Sequence, residues 1–146
     1  MATVRKLYLG CPYCNIASGN EKDTVFVYDD SRVCAFRDPY PDSENHFIVL
    51  SKIHISDYNS LSEKDISLLE HMRTVGIKLL DQVCEPNMPK RMGFLPNSFS
   101  RVNHLHMHCL ALPLTCNWVR RLVYSPLIFF DSKDLVEEVK ESCYNL

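Results

Sequence analysis

The 146-residue sequence has no apolar run that approaches the roughly 20 residues a membrane-spanning helix needs. Nor is there an excess of charge of either sign: 16 lysines and arginines stand against 18 aspartates and glutamates, a formal net charge of −2. The dense basic footprint of a dedicated nucleic-acid binder is missing, so a small ligand is the expected partner and a nucleic acid or membrane is not. Met1 to Gly10 contains basic residues with no sustained apolar stretch behind them, and no secretion signal is read there. The expectation is a soluble protein of the cytoplasm, with the nucleus as a second compartment. No repeat, low-complexity tract or charge block marks an internal boundary. With 46% apolar residues the chain has material for one core and too little for two ordinary domains, so residues 1–146 are read as one domain. Of seven cysteines, Cys34, Cys84, Cys109, Cys116 and Cys143 have no framework spacing, which argues for reduced thiols rather than a disulfide scaffold. Cys11 and Cys14 differ, because a C-x-x-C knuckle brings two sulfurs close enough to chelate a metal or form a redox pair. Spacing alone does not choose between those two.

Val25-Phe26-Val27-Tyr28 and Arg32-Val33-Cys34-Ala35-Phe36 alternate as strands, and Asp29-Asp30-Ser31 between them supplies turn chemistry for a hairpin. Pro39 and Pro41 must leave the sheet, since each lacks an N–H and restrains its predecessor. His46 to Leu50 then reads as a third, buried strand. From Ser62 the period changes: Ile66, Leu69, Met72, Gly76, Leu79 and Val83 recur at three- and four-residue steps, the stripe of an amphipathic helix. Ser62 is its expected N-cap, Glu63 and Asp65 suit the positive end of the helix dipole, and Pro86 and Pro89 end it. A strand near Arg91 to Leu95, a polar loop, a histidine-rich strand from Asn103 to Leu112 and a helix from Ser132 to about Ser142 complete the reading. The class is α+β, a mostly antiparallel sheet with one long central helix and one C-terminal helix.

Side chains alternate across a strand, so His104, His106 and His108 share one face and Leu105, Met107 and Cys109 the other. Three imidazoles spaced about 6–7 Å by two strand rises form a patch suited to an anion, phosphate above all. Ordinary solvent-face polarity explains one histidine better than three of the chain's six in strict alternation. A three-histidine metal site is the poorer account, because alternating ligands on one extended strand lie too far apart to reach a single ion at about 2 Å.

His104-Leu105-His106-Met107-His108-Cys109-Leu110 resembles the signature of the histidine triad superfamily. The likeness extends to Cys11-Pro12-Tyr13-Cys14-Asn15-Ile16, to Ala35-Phe36-Arg37-Asp38 and to His46 through His54, in the family's order. Arg91-Met92-Gly93-Phe94 and Leu127-Ile128-Phe129-Phe130 look like the branch called histidine triad nucleotide-binding protein three, which resembles adenosine monophosphoramidases. The resemblance implies a nucleotide hydrolase that needs no cofactor for its chemistry. His106 would attack the α-phosphorus to form a nucleotidyl-histidine that water hydrolyses to AMP. His108 would donate to a phosphate oxygen, His104 would support the tautomer or orientation of His106, and His46 matches a fourth histidine nearby. Asp38 would bind the ribose, and Pro39, Phe36, Ile48, Tyr13 and Ile16 would wall the base. It also implies a structural zinc on Cys11, Cys14, His54 and His104, and a two-fold homodimer joined through the long helix and an adjoining strand.

One departure is visible. Where many family members carry a glycine-rich loop ending in Gly-Gln-Ser, this chain has Phe99-Ser100-Arg101-Val102-Asn103, and Arg101 takes the place of a leaving-group serine. A guanidinium can bind phosphate bidentately but cannot act as that hydroxyl does. A slow nucleotide-binding or scaffold protein is the alternative this departure suggests. An aprataxin-like DNA end-processing enzyme is a further one, disfavoured by the charge balance.

Overall fold

The structure is a computed structural model and describes residues 10–145. Six strands form one sheet: β1 (Phe26–Asp29), β2 (Val33–Arg37), β3 (His46–Ser51), β4 (Lys90–Phe94), β5 (His106–Ala111) and β6 (Phe130–Asp131). Their order is β1-β2-β3-β5-β4-β6, and every neighbouring pair is antiparallel. The helices are α1 (Pro12–Ala17), α2 (Ile66–Val83), α3 (Trp118–Arg121) and α4 (Ser132–Tyr144). The α+β class expected from the sequence is the one found.

The long connection from β3 to β4 carries α2 across one face of the sheet and lets β5 enter between those two strands. Residues Ser62 to Asp65 form a capping box and a short 3₁₀ turn, so α2 proper begins at Ile66. Its buried stripe is Leu68, Leu69, Met72, Val75, Gly76, Leu79 and Leu80. Val83, expected in that stripe, is 39% exposed because it lies past the last turn that reaches the sheet. This stripe packs on Val33, Ala35, Phe47, Val49, Met107 and Cys109, and α4 adds Leu135, Val136 and Val139 to the same core. Each fully buried aliphatic side chain contributes about 1.5–3 kcal/mol, and Met72, Leu80, Val33, Val49 and Met107 are all at 0% exposure.

The opposite face is covered only in part. Cys34, Phe36, Ile48 and Leu50 form a small cluster under Tyr13, Ile16 and Ala17 of α1. The rest of that face carries the histidines and a second apolar cluster, Leu110 with Leu95, Val123, Tyr124 and Phe129.

Candidate active site

β5 begins at His106, three residues later than the Asn103 start expected from the sequence. Leu105 instead pairs with the chain after β3, its N–H donating to the Ile55 carbonyl (2.6 Å) and its carbonyl accepting from the Ser51 N–H (3.4 Å). His104 therefore precedes the strand, and its ring turns towards Cys11 and Cys14, 3.5 Å from each sulfur. Its link to the middle histidine is through the main chain: His106 Nδ1 is 2.6 Å from the His104 carbonyl oxygen. A carbonyl only accepts, so Nδ1 carries the proton and Nε2 keeps its lone pair.

A second chain of contacts sets His108. The Asp42 main-chain N–H donates to His46 Nδ1 (3.0 Å), so the neutral His46 ring carries its proton on Nε2. That nitrogen donates to His108 Nδ1 at 2.9 Å, which leaves His108 with its proton on Nε2. Asp42 is itself anchored, with Arg120 Nε 3.0 Å from its Oδ2 and the buried Tyr124 hydroxyl donating to the same oxygen. The site thus presents a bare nitrogen on His106 beside an N–H on His108, with ring centres 5.2 Å apart. Burial lowers the pKa of His106 and, more strongly, of His108, where the neighbouring His106, His46 and Arg120 add to the effect. Burial thus favours the neutral form of both rings.

His106 and His108 open into a cleft of about 790 Å³. Tyr13, Ile16, Phe36, Pro39 and Val27 give it apolar walls, and the volume falls within the range of small-molecule sites. Tyr13 stands edge-on to the His106 ring at 4.9 Å between centres. Asp38 lines the cleft with Oδ2 3.4 Å from His46 Nε2, while its Oδ1 accepts from the Tyr40 N–H at 2.9 Å. Ile48, expected to wall the base, and His46, expected near the triad, both stand behind the cleft. Ile48 is 1% exposed beneath Phe36 and Tyr13, and His46, also 1% exposed, lies behind His108.

A family model described as scavenger mRNA decapping enzyme C-term binding matches residues 10–123. A bifunctional adenosine 5'-phosphosulfate phosphorylase/adenylylsulfatase, HINT4 of Arabidopsis thaliana, is 36% identical over 135 residues, which is 89% of this chain and 91% of that protein. The chain belongs to the histidine triad superfamily. An adenosine 5'-monophosphoramidase, HINT3 of Xenopus tropicalis, is 25% identical over 92% of this chain and 90% of its own length. Among solved structures, a HIT family hydrolase from Legionella pneumophila superposes with a TM-score of 0.67 and 30% identity, over 74% of this chain and 96% of that one.

For a histidine triad protein, the loop before β5 is unusual. Arg101 lays its guanidinium over the Tyr40 ring at 4.2 Å. The hydroxyl nearest the middle histidine belongs to Ser100, whose Oγ is 3.5 Å from His106 Nε2 and donates to the Val102 carbonyl at 3.0 Å. Sequence reasoning passed over Ser100, although its place beside Arg101 in a turn was the available signal. It also passed over Asp42, Arg120 and Tyr124, which no local pattern connects to the triad.

On the far side of His104, the Cys11, Cys14, His54 and His104 donor atoms all lie within 4.8 Å of one another. Cys14 Sγ is 3.3 Å from His54 Nδ1. A tetrahedral zinc with its usual bond lengths separates sulfur from nitrogen by about 3.5 Å, so the four residues fit the ion. His104 Nε2 is 2.7 Å from the Ser51 carbonyl, the kind of outer contact that orients a ligating imidazole through its other nitrogen.

Proposed function

We propose that this protein hydrolyses adenosine 5'-phosphoramidates or related adenylated compounds to AMP through a nucleotidyl-histidine on His106. The observation that carries the reading is the pairing of tautomers at the head of the cleft: an unprotonated Nε2 on His106 next to an Nε2–H on His108. A neutral imidazole nitrogen attacks phosphorus without first losing a proton. As that bond forms, the substrate's P–N bond breaks, its electron pair stays on the departing nitrogen, and that nitrogen takes up a proton from solvent. The His108 N–H meets the charge that builds on a phosphate oxygen in the transition state. Asp38 accepts from the ribose hydroxyls, and Tyr13, Phe36 and Pro39 take the base. In the second step water bonds to phosphorus, the electron pair of the P–N bond returns to Nε2, and a proton is released to solvent. The names of the HINT4 and HINT3 relatives support an adenylyl substrate.

The reading includes a zinc held by Cys11, Cys14, His54 and His104. It supplies no chemistry to the reaction and fixes the segment from which His104 reaches His106. It includes a homodimer as well. Part of the α2 face that a partner was expected to cover is taken by α4 of the same chain, through contacts such as Arg73 Nε to Ser132 Oγ at 3.0 Å. Pairing then falls to the remaining outer surface of α2, where Ile77 and Val83 are exposed.

The test is mass spectrometry after brief exposure to an adenosine 5'-phosphoramidate. An adduct of one adenylyl group on His106 is expected, lost together with turnover in His106→Ala. His106→Gly supplied with imidazole should recover part of the activity. An adduct that persists in His106→Ala, on His108 or elsewhere, overturns the assignment.

A further inference from the structure

Among the described residues, Arg101 is a cation without an anion. No carboxylate of the described residues lies within 4.0 Å of its side-chain nitrogens. Of the acids that line the cleft, Asp42 is engaged with Arg120 and Tyr124, and Asp38 with the Tyr40 N–H and His46. The guanidinium carbon lies over the Tyr40 ring, and among the described residues no acceptor takes its N–H groups. Arg101 also stands on the border of two cavities. One is the nucleotide cleft. The other, about 780 Å³, is lined by His54, Ser56, Ser60 and Asn103 among others, with no carboxylate among its described lining residues. Donors surround this border.

The same loop provides no proton for a departing amine. A guanidinium stays protonated at any ordinary pH, and the Ser100 hydroxyl already donates to the Val102 carbonyl. An amine leaving group needs that proton, whereas a sulfate or phosphate departs stable as an anion. Resting on the nucleotidyl-histidine reading above, we propose that Arg101 selects adenylyl mixed anhydrides whose leaving group departs as a tetrahedral oxyanion, sulfate or phosphate, over phosphoramidates. As the His106 Nε2–phosphorus bond forms, the P–O bond to the leaving group breaks, and the oxygen leaves with the bonding pair into the N–H edge of Arg101. No proton is transferred in that step. Water then releases AMP from His106 as before.

The experiment compares kcat/KM for adenosine 5'-phosphosulfate, ADP and adenosine 5'-phosphoramidate in the full chain and in Arg101→Ser and Arg101→Lys. The wild-type protein should favour one of the two oxyanion substrates, and which one identifies the leaving group. Loss of a charge-assisted contact should move the oxyanion-to-phosphoramidate ratio by about tenfold to hundredfold in Arg101→Ser. Arg101→Lys, which keeps the charge and loses the planar fork, should fall between. Free sulfate or phosphate should inhibit the wild type, and inhibit Arg101→Ser more weakly. A wild-type preference for the phosphoramidate, or a ratio that Arg101→Ser leaves within about threefold, overturns the proposal. If a His106 adduct still forms in that case, the nucleotidyl-histidine reading survives; if none of the three substrates yields one, both fall.

Discussion

A neutral imidazole donates through one nitrogen and accepts through the other, so the rings around this cleft depend on the groups behind them. Main-chain atoms make both choices: the His104 carbonyl for His106 and the Asp42 N–H for His46 and then His108. Holding the rings neutral has a measurable cost in acid. Burial pushes His46 and His108 below the ordinary imidazole value of 6.5, partly opposed at His46 by Asp38 and Asp42. Below that value the unfolded chain takes up protons that the folded one refuses. Stability is therefore full above about pH 6.5 and is lost as pH falls, at about 1.4 kcal/mol per pH unit for each such histidine. Urea unfolding from neutral to mildly acid pH should show this slope, and His108→Gln should make it shallower. A wild-type stability that stays flat through that range would refute the account. At this scale the sequence was readable where spacing decides the outcome: alternation puts His106 and His108 on one face. It was silent on Asp42, Arg120 and Tyr124, because their positions depend on loops up to 82 residues apart meeting in space.

β3 and α4 were legible to within a residue or two, whereas β5 starts three residues late because Leu105 pairs with Ile55 and Ser51 instead. Short elements were not legible. α1 is six residues opened by Pro12, and its role is set by what it packs against rather than by any period of its own. β6 is two residues long and exists because Phe130 and Asp131 find the open edge of β4 at Phe94 and Gly93. That pairing makes Gly93 a sharp test. A Cβ there would lie 2.3 Å from the Phe130 carbonyl oxygen and 2.6 Å from the Phe129 ring, so main chain would have to move. At Gly76 a Cβ would meet the ends of the Met107 and Cys109 side chains at 2.8 Å, and a flexible thioether can yield. Gly93→Ala should cost about 1–3 kcal/mol or more by overpacking. Gly76→Ala should cost less, because alanine gains about 1 kcal/mol over glycine inside a helix. Thermal unfolding of the two variants ranks them, and a Gly76→Ala protein less stable than Gly93→Ala would contradict the packing described.

For the whole molecule, α4 lying on α2 limits how two copies can meet. Sedimentation at micromolar concentration should find a dimer, and Ile77→Lys on the open part of α2 should shift it to monomer. A monomer at every concentration removes the dimer and leaves the hydrolase reading in place. The cysteine-histidine cluster joins three distant parts of the chain, the N-cap and first turn of α1, the turn after β3 and the approach to β5. One zinc per chain is expected from metal analysis of protein purified without chelator, and a content well below that removes the ion.

α1 carries Cys14 between the cleft walls Tyr13 and Ile16, and Cys11 is the residue that opens it. A ligand against those walls and an ion on those thiols therefore each restrict the same six residues. Whichever arrives first has already met part of the ordering cost of the second. Equilibrium linkage makes the effect symmetrical: if the ion raises affinity for AMP by some factor, AMP raises affinity for the ion by the same factor. Calorimetric titration of AMP into protein with and without zinc should give a factor above one. Competition for zinc by a chelator, with and without AMP, should return the same number.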